Sequence, residues 1–177
     1  MTTFVKEKEE ALFPLLENEM ERLADDSGIK LGLVSGIPIW EAFPFFQHQE
    51  KTLDIQISLR DQARRSDASA CISVADPTIR FPDGSIKRPD ISVFCSRPVE
   101  RKTVCTQIPE AVIEILNKGY EKKDNEVSLP FYLSWHIPYI ALFNPESNRV
   151  SHYHDGQVDE YDSQVELTFA CGCPATI

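Results

Sequence analysis

No stretch of this sequence approaches the ~18 uninterrupted apolar residues that a membrane-spanning helix requires. The opening Met1-Thr2-Thr3-Phe4-Val5-Lys6-Glu7 has no apolar run behind a basic segment. The first absence speaks against a helical membrane protein and the second against a secretory signal, so the expected location is the cytoplasm. An excess of positive charge is also missing: 18 Lys and Arg stand against 28 Asp and Glu, for a net charge of −10. Affinity for a phosphate backbone comes chiefly from lysine and arginine, so tight nonspecific nucleic-acid binding by a monomer is disfavoured. A local basic patch is still open. Lys87/Arg88, Arg97/Arg101/Lys102 and Lys118/Lys122/Lys123 would form one, or are solvated residues on an acidic protein. The five cysteines are an odd number and no export signal accompanies them, which argues against a disulfide framework. Cys71 and Cys95 lie in apolar runs and read as small core residues, and Cys171-Gly172-Cys173 is too closely spaced for a standard zinc knuckle. No Gly-rich phosphate loop and no nucleophile elbow occur, which leaves P-loop and serine-hydrolase chemistry without their motifs.

What is present is a chain of 177 residues, 42% hydrophobic and 26% charged, ordinary for one soluble domain and short for two. The single domain is expected to span residues 1–177, with an N-terminal helical extension over about 1–28. Within it, residues 9–24 have helical character, with Leu12, Leu16, Met20 and Leu23 near one face. Pro14 starts or kinks that helix, and Asp26-Ser27-Gly28 ends it. A short strand over 31–34 follows, then an apolar, aromatic loop over 36–44. A second helix over 48–65 has a broad apolar stripe of Leu53, Ile55, Ile57 and Leu59. Strand-like runs cover 70–74, 79–81, 86–94, 108–116, 139–143, 150–154 and 165–170, with a strong turn at Pro82-Asp83-Gly84-Ser85. Residues 118–135 read as a polar loop leading into a helix that holds Phe131, Tyr132 and Leu133. This order predicts an α/β fold, one mixed sheet flanked by helices.

Two acidic residues stand in otherwise apolar runs: Asp90 in Pro89-Asp90-Ile91-Ser92-Val93-Phe94, and Glu114 in Ala111-Val112-Ile113-Glu114-Ile115-Leu116. A buried ionised carboxylate needs a partner or a shifted pKa. A hard divalent cation is one such partner. Taken singly, Asp90 also reads as a strand-end residue pairing with Arg88, and Glu114 as a buried glutamate bonded to a Lys or Tyr. His152-x-His154 would set two imidazoles on one strand face, where zinc or simple hairpin exposure are the two readings.

The ordered set Pro82-Asp83-Gly84-Ser85-Ile86, Pro89-Asp90-Ile91-Ser92-Val93, Ile108-Pro109-Glu110-Ala111-Val112-Ile113-Glu114-Ile115-Leu116, Lys118-Gly119-Tyr120-Glu121, Lys123-Asp124, Phe131-Tyr132-Leu133 and Leu142-Phe143-Asn144-Pro145-Glu146 resembles the PD-(D/E)XK nucleases. More closely it resembles the largely uncharacterised Uma-type restriction-endonuclease family expanded in cyanobacteria. The resemblance implies a restriction-endonuclease-like core and metal-dependent hydrolysis of DNA phosphodiester bonds. Asp90 and Glu114 would hold Mg²⁺ or Mn²⁺, and Lys118 would supply the ammonium. Glu41, His48, Lys122, Lys123, Asp124 and Tyr132 would support the site. DNA would be a weakly bound partner, no membrane is implied, and a homodimer is consistent with duplex cleavage. The chain departs from the pattern at Leu116, where the motif lysine would stand, and at Ser128, where relatives carry a lysine four residues after the matched aspartate. The alternative is a catalytically degenerate nuclease fold acting as a binding or interaction module.

Overall fold

The computed structural model describes residues 29–42, 44–65, 71–99, 104–117 and 121–177, excluding the side chains of 29–31, 40–42 and 121. The helix expected over 9–24 lies outside the described residues. β1 (Ile29–Val34) and β2 (Ile37–Ala42) form a hairpin. Ser35 and Gly36 close it with φ of 49° and 80°, the left-handed backbone that a two-residue hairpin turn of the I′ kind uses. Residues 36–44 were expected as an apolar, aromatic loop, but Ile37–Ala42 form β2, although Pro38 within it cannot donate to a ladder. β2 sits at the edge of its sheet, where that missing donor faces no strand.

Helix α1 (Phe46–Arg65) buries His48, Thr52, Ile55, Gln56 and Leu59. Leu53 and Ile57, expected in its buried stripe, are 60% and 51% exposed. The buried face is therefore the polar-interrupted one. Thr52 is accommodated there because its hydroxyl donates to His48 O at 2.8 Å.

β3 (Ile72–Ala75), β4 (Ile79–Arg80), β5 (Ile86–Lys87), β6 (Ile91–Phe94) and β7 (Ala111–Ile115) follow. The run 86–94, expected as one strand, divides at Arg88-Pro89-Asp90. β5 joins the sheet of order β2-β1-β5-β4, whereas β6 enters the sheet completed below. Pro89 removes a ladder donor where the chain changes sheets. Lys87 and Asp90 thus flank a seam between two sheets. The preceding turn forms as its composition predicts: Asp83 accepts from Ser85 N at 2.9 Å, and Gly84 has φ of 84°.

After β7 comes a helical passage made of α2 (Glu121–Lys123), a π-helical turn (Asp124–Ser128) and α3 (Leu129–Ser134), with Pro130 tolerated in the first turn of α3. It returns the chain to β8 (Tyr139–Asn144), which lies parallel to β7. β9 (Arg149–His154) and β10 (Gln157–Asp162) extend the sheet antiparallel, giving the order β10-β9-β8-β7-β6-β3. A hairpin of β11 (Glu166–Phe169) and β12 (Cys173–Thr176) ends the chain. β10 and β12 were not expected from the sequence; exposed Asp and Glu in β10 and Pro174 in β12 mask their periodicity.

Strand β7 is the centre of the core. Its Ala111, Ile113 and Ile115 pack on one face with Ile55 and Leu59 of α1 and with Leu167, Phe169 and Ala175 of the last hairpin. Val112 faces the other side, with Phe131, Tyr132, Ile140 and Leu142. By strand alternation Glu114 projects to that second side. The cysteine expectation is corrected: Cys71 is disulfide-bonded to Cys173 and Cys95 to Cys171. Cys71 and Cys95 lie one step beyond the Ile72↔Phe94 pair of β3 and β6, and the packing of α1 on β12 carries Cys171 and Cys173 to them. Cys105 is the free, buried cysteine among the described residues.

Candidate functional site

The antiparallel pairing of β6 with β7 runs through Ile91↔Ile113. The next pair outward is Asp90 and Glu114, and the two are interlocked. Asp90 N–H donates to Glu114 Oε2 at 3.2 Å, and Ile115 N–H donates to Asp90 Oδ2 at 2.8 Å. His48, near the start of α1, brings its Nε2 to 2.9 Å from the same Asp90 oxygen. From the opposite side Tyr132, fully buried in α3, donates its hydroxyl to Glu114 Oε1 at 2.6 Å. Both carboxylates are thus oriented by residues distant in sequence.

Asp124, Ser128 and Tyr132 share one buried face of the helical passage. The wider π turn carries Asp124 and Ser128 at the start of that face, and such turns recur at functional sites. Ser128 donates to Asp124 Oδ1 at 3.3 Å, and Lys123 Nζ lies 2.6 Å from the same oxygen.

Lys87 enters from β5. It is 2% exposed, donates to Ser128 Oγ at 2.9 Å, and its ammonium lies 5.5 Å from the centre of the Tyr132 ring. Sequence reasoning placed Lys87 only in a basic surface cluster, and its burial corrects that reading. The signal available in the sequence was its place two residues before Pro89, between apolar Ile86 and the chain's switch of sheets.

Electrostatics tie these groups together. The Glu114 carboxyl is pushed up from 4.5 to about 8. Burial is the largest cause, followed by the negative charges of Asp90 and Asp124, while Lys123 and Lys87 pull the other way. Two carboxylates and two ammoniums balance, so ionising Glu114 adds an uncompensated charge in a poorly solvated place. A bound cation is one way to relieve it.

The remaining sequence candidates divide. Lys118 lies outside the described residues, and so does the side chain of Glu41, whose backbone pairs with Lys30 in the β1–β2 hairpin. Lys122 is exposed, whereas Lys123 and Asp124 reach the site. Arg88 turns away from Asp90 and pairs with Asp76 at 3.0 Å. His152 is buried rather than exposed on the hairpin. Its ring lies 4.5 Å from that of His154, and burial, with His154 second, pushes its pKa down to about 4. His154 instead bonds Asp159 at 2.8 Å. Among the described residues, no group of three or more His, Cys, Asp or Glu side chains is arranged to hold a metal ion. No helix among them is long and apolar enough to cross a membrane.

Comparison with known proteins agrees with this arrangement at the level of fold. The crystal structure of a "putative nuclease belonging to DUF820" from Anabaena variabilis ATCC 29413 is similar over 77% of this chain and 79% of that chain, with a TM-score of 0.64 and 18% identity. A cryoEM structure of a DrdV–DNA complex overlaps 59% of this chain but 9% of that chain, with a TM-score of 0.36 and 17% identity. No curated protein matches the sequence. The mixed sheet with its flanking helices is therefore a nuclease-like fold. The model of the family Uma2, described as "Putative restriction endonuclease", matches residues 17–170, and the chain belongs to that family.

Proposed function

We propose that the protein is a divalent-metal-dependent endonuclease that hydrolyses DNA phosphodiester bonds at Asp90 and Glu114. The observation that carries this reading is the interlocked pair itself: two carboxylates on adjacent strand ends, where burial and the neighbours' negative charge raise the Glu114 pKa. Two carboxylates are a donor set that fits Mg²⁺ or Mn²⁺, since such ions commonly take one or two protein carboxylates and complete their shell with water and substrate phosphate. The bound ion would polarise a phosphoryl oxygen and lower the pKa of a coordinated water. This chain's own contribution is orientation. His48 and the Ile115 amide hold Asp90, while Tyr132 and the Asp90 amide hold Glu114, so neither carboxylate must be ordered when substrate arrives.

Family membership supports DNA as the substrate. With a net charge of −10, binding is weak and falls as salt rises. Two copies would serve the two strands of a duplex, and a cytoplasmic setting belongs to the same reading. The second reading, a nuclease-like scaffold that binds without cutting, draws on Leu116 in place of the motif lysine.

The test is nicking of supercoiled DNA at low ionic strength with Mn²⁺ or Mg²⁺. Wild type nicks; Asp90→Ala and Glu114→Ala do not, while circular dichroism shows both folded. Equal rates for wild type and variants, across several DNA substrates and both metals, leave the binding scaffold as the better account.

A further inference from the structure

A lysine that is 2% exposed is uncommon, because burying an ammonium costs several kcal/mol unless charge or hydrogen bonds offset it. Lys87 meets that condition with its head beside Ser128, the Tyr132 ring and the charged field of Glu114. Ser128 is fully buried and small. It lies one turn from Asp124 and one turn from Tyr132 on the face turned toward Glu114. A larger side chain at 128 would occupy the space the Lys87 head now fills.

We propose that Lys87 is the ammonium this site presents to the scissile phosphodiester, delivered from β5 rather than from β7 or the helical passage. The proposal rests on the endonuclease reading and names a catalytic residue for it. Ser128 Oγ accepts a hydrogen bond from the ammonium. Lys123 contacts Asp124 at 2.6 Å and serves as a counter-charge to that carboxylate.

In the step concerned, water oxygen forms the new P–O bond with its own electron pair. The P–O bond to the departing sugar oxygen breaks, and its electrons stay on that oxygen. The attacking water releases a proton to solvent, and the departing oxyanion takes one from solvent, giving a phosphate monoester and an alcohol. Lys87 keeps its proton throughout. It opposes the negative charge that builds on the phosphoryl oxygens, a role whose removal typically costs about 100-fold to 1,000-fold in rate.

The experiment uses the full chain, supercoiled DNA and Mn²⁺, with Mn²⁺ affinity measured separately by calorimetry. Lys87→Met keeps most of the stem and removes the charge. It is expected to lower kcat at saturating metal and DNA by about 100-fold or more, with Mn²⁺ affinity changed by less than about threefold. The double variant Lys87→Met/Ser128→Lys returns an ammonium to the same space from the helix, and is expected to recover at least about tenfold of that loss. Lys123→Met is expected to cost less than Lys87→Met. Wild-type kcat in Lys87→Met, a loss no larger than the fall in Mn²⁺ affinity, or a greater loss in Lys123→Met each overturns the assignment while Asp90-dependent cleavage stands. Should Lys87→Met fail to fold, the double variant decides: activity supports the proposal, and a folded but inactive protein overturns it. Absence of Asp90-dependent cleavage in wild type overturns the endonuclease reading, and this assignment with it.

Discussion

Replacing Glu114 by Gln should change how stability depends on pH more than it changes stability at any one acidic pH. In the folded protein the Glu114 carboxyl titrates at about 8, against 4.5 for the ordinary group. Burial is the main cause, and Asp90 and Asp124 add to it. Between those values the unfolded chain has lost the proton and the folded chain still holds it, so unfolding releases a proton and stability falls as pH rises. The contribution is complete below the unfolded value and is lost by the time pH passes the folded one. At about 1.4 kcal/mol per pH unit, three units of that window amount to on the order of 4 kcal/mol. Glutamine mimics the neutral acid. Its carbonyl can accept from Asp90 N–H and its amide can donate to the Tyr132 hydroxyl, so both existing positions are filled. Glu114→Gln should therefore match wild type near pH 5 and exceed it by a few kcal/mol at pH 8. Urea unfolding at fixed ionic strength, with the disulfides kept oxidised, measures both. Parallel pH profiles for the two proteins would refute the reasoning, because they would mean that Glu114 is ionised in the fold across the whole range.

Mn²⁺ binding near neutral pH should release about one proton, because the metal needs Glu114 ionised, and affinity should weaken as pH falls below 8; calorimetry in buffers of differing ionisation enthalpy reads this, and no proton release would count against a shifted Glu114. Tyr132→Phe removes the 2.6 Å hydrogen bond to Glu114 and should cost roughly 1–3 kcal/mol, more at pH 9 than at pH 5 since the phenol favours the ionised carboxylate, as urea midpoints at the two pH values would show. Reducing the disulfides opens loops closed over sequence separations of 102 and 76 residues, and each should be worth about 4 kcal/mol by loop entropy; an unchanged urea midpoint in a dithiol reductant would exclude their contribution. Gly84→Ala places a side chain at φ of 84° with nothing within 4 Å, so strain alone should cost about 1–2 kcal/mol, without altering the pH profile.

Local pattern determined much of this protein. The continuous apolar runs of β7 and β8, the Asn144-Pro145-Glu146-Ser147-Asn148 turn that joins β8 to β9, and the Pro82-Asp83-Gly84-Ser85 turn each announce themselves within a few residues, because side-chain period and turn chemistry are short-range properties. The oddity of Asp90 and Glu114 is legible for the same reason: each is a charge within a single apolar run. Only the tertiary structure decided what surrounds them. Whether residues 86–94 form one strand or two depends on which sheets await on either side of Pro89. The buried face of α1 was set by β12 and β3 rather than by its most apolar stripe, which left Leu53 and Ile57 outside and brought His48 in to Asp90. The odd cysteine count hid two pairs that chain folding brings together across 102 and 76 positions. Lys87 reads in sequence as one more basic residue beside Arg88. Its burial is supported by Ser128, 41 residues away, which accepts its hydrogen bond, and by the Tyr132 ring beside it. A charge becomes tolerable inside a protein through partners, and the partners of these residues are supplied by long-range packing that no local period encodes.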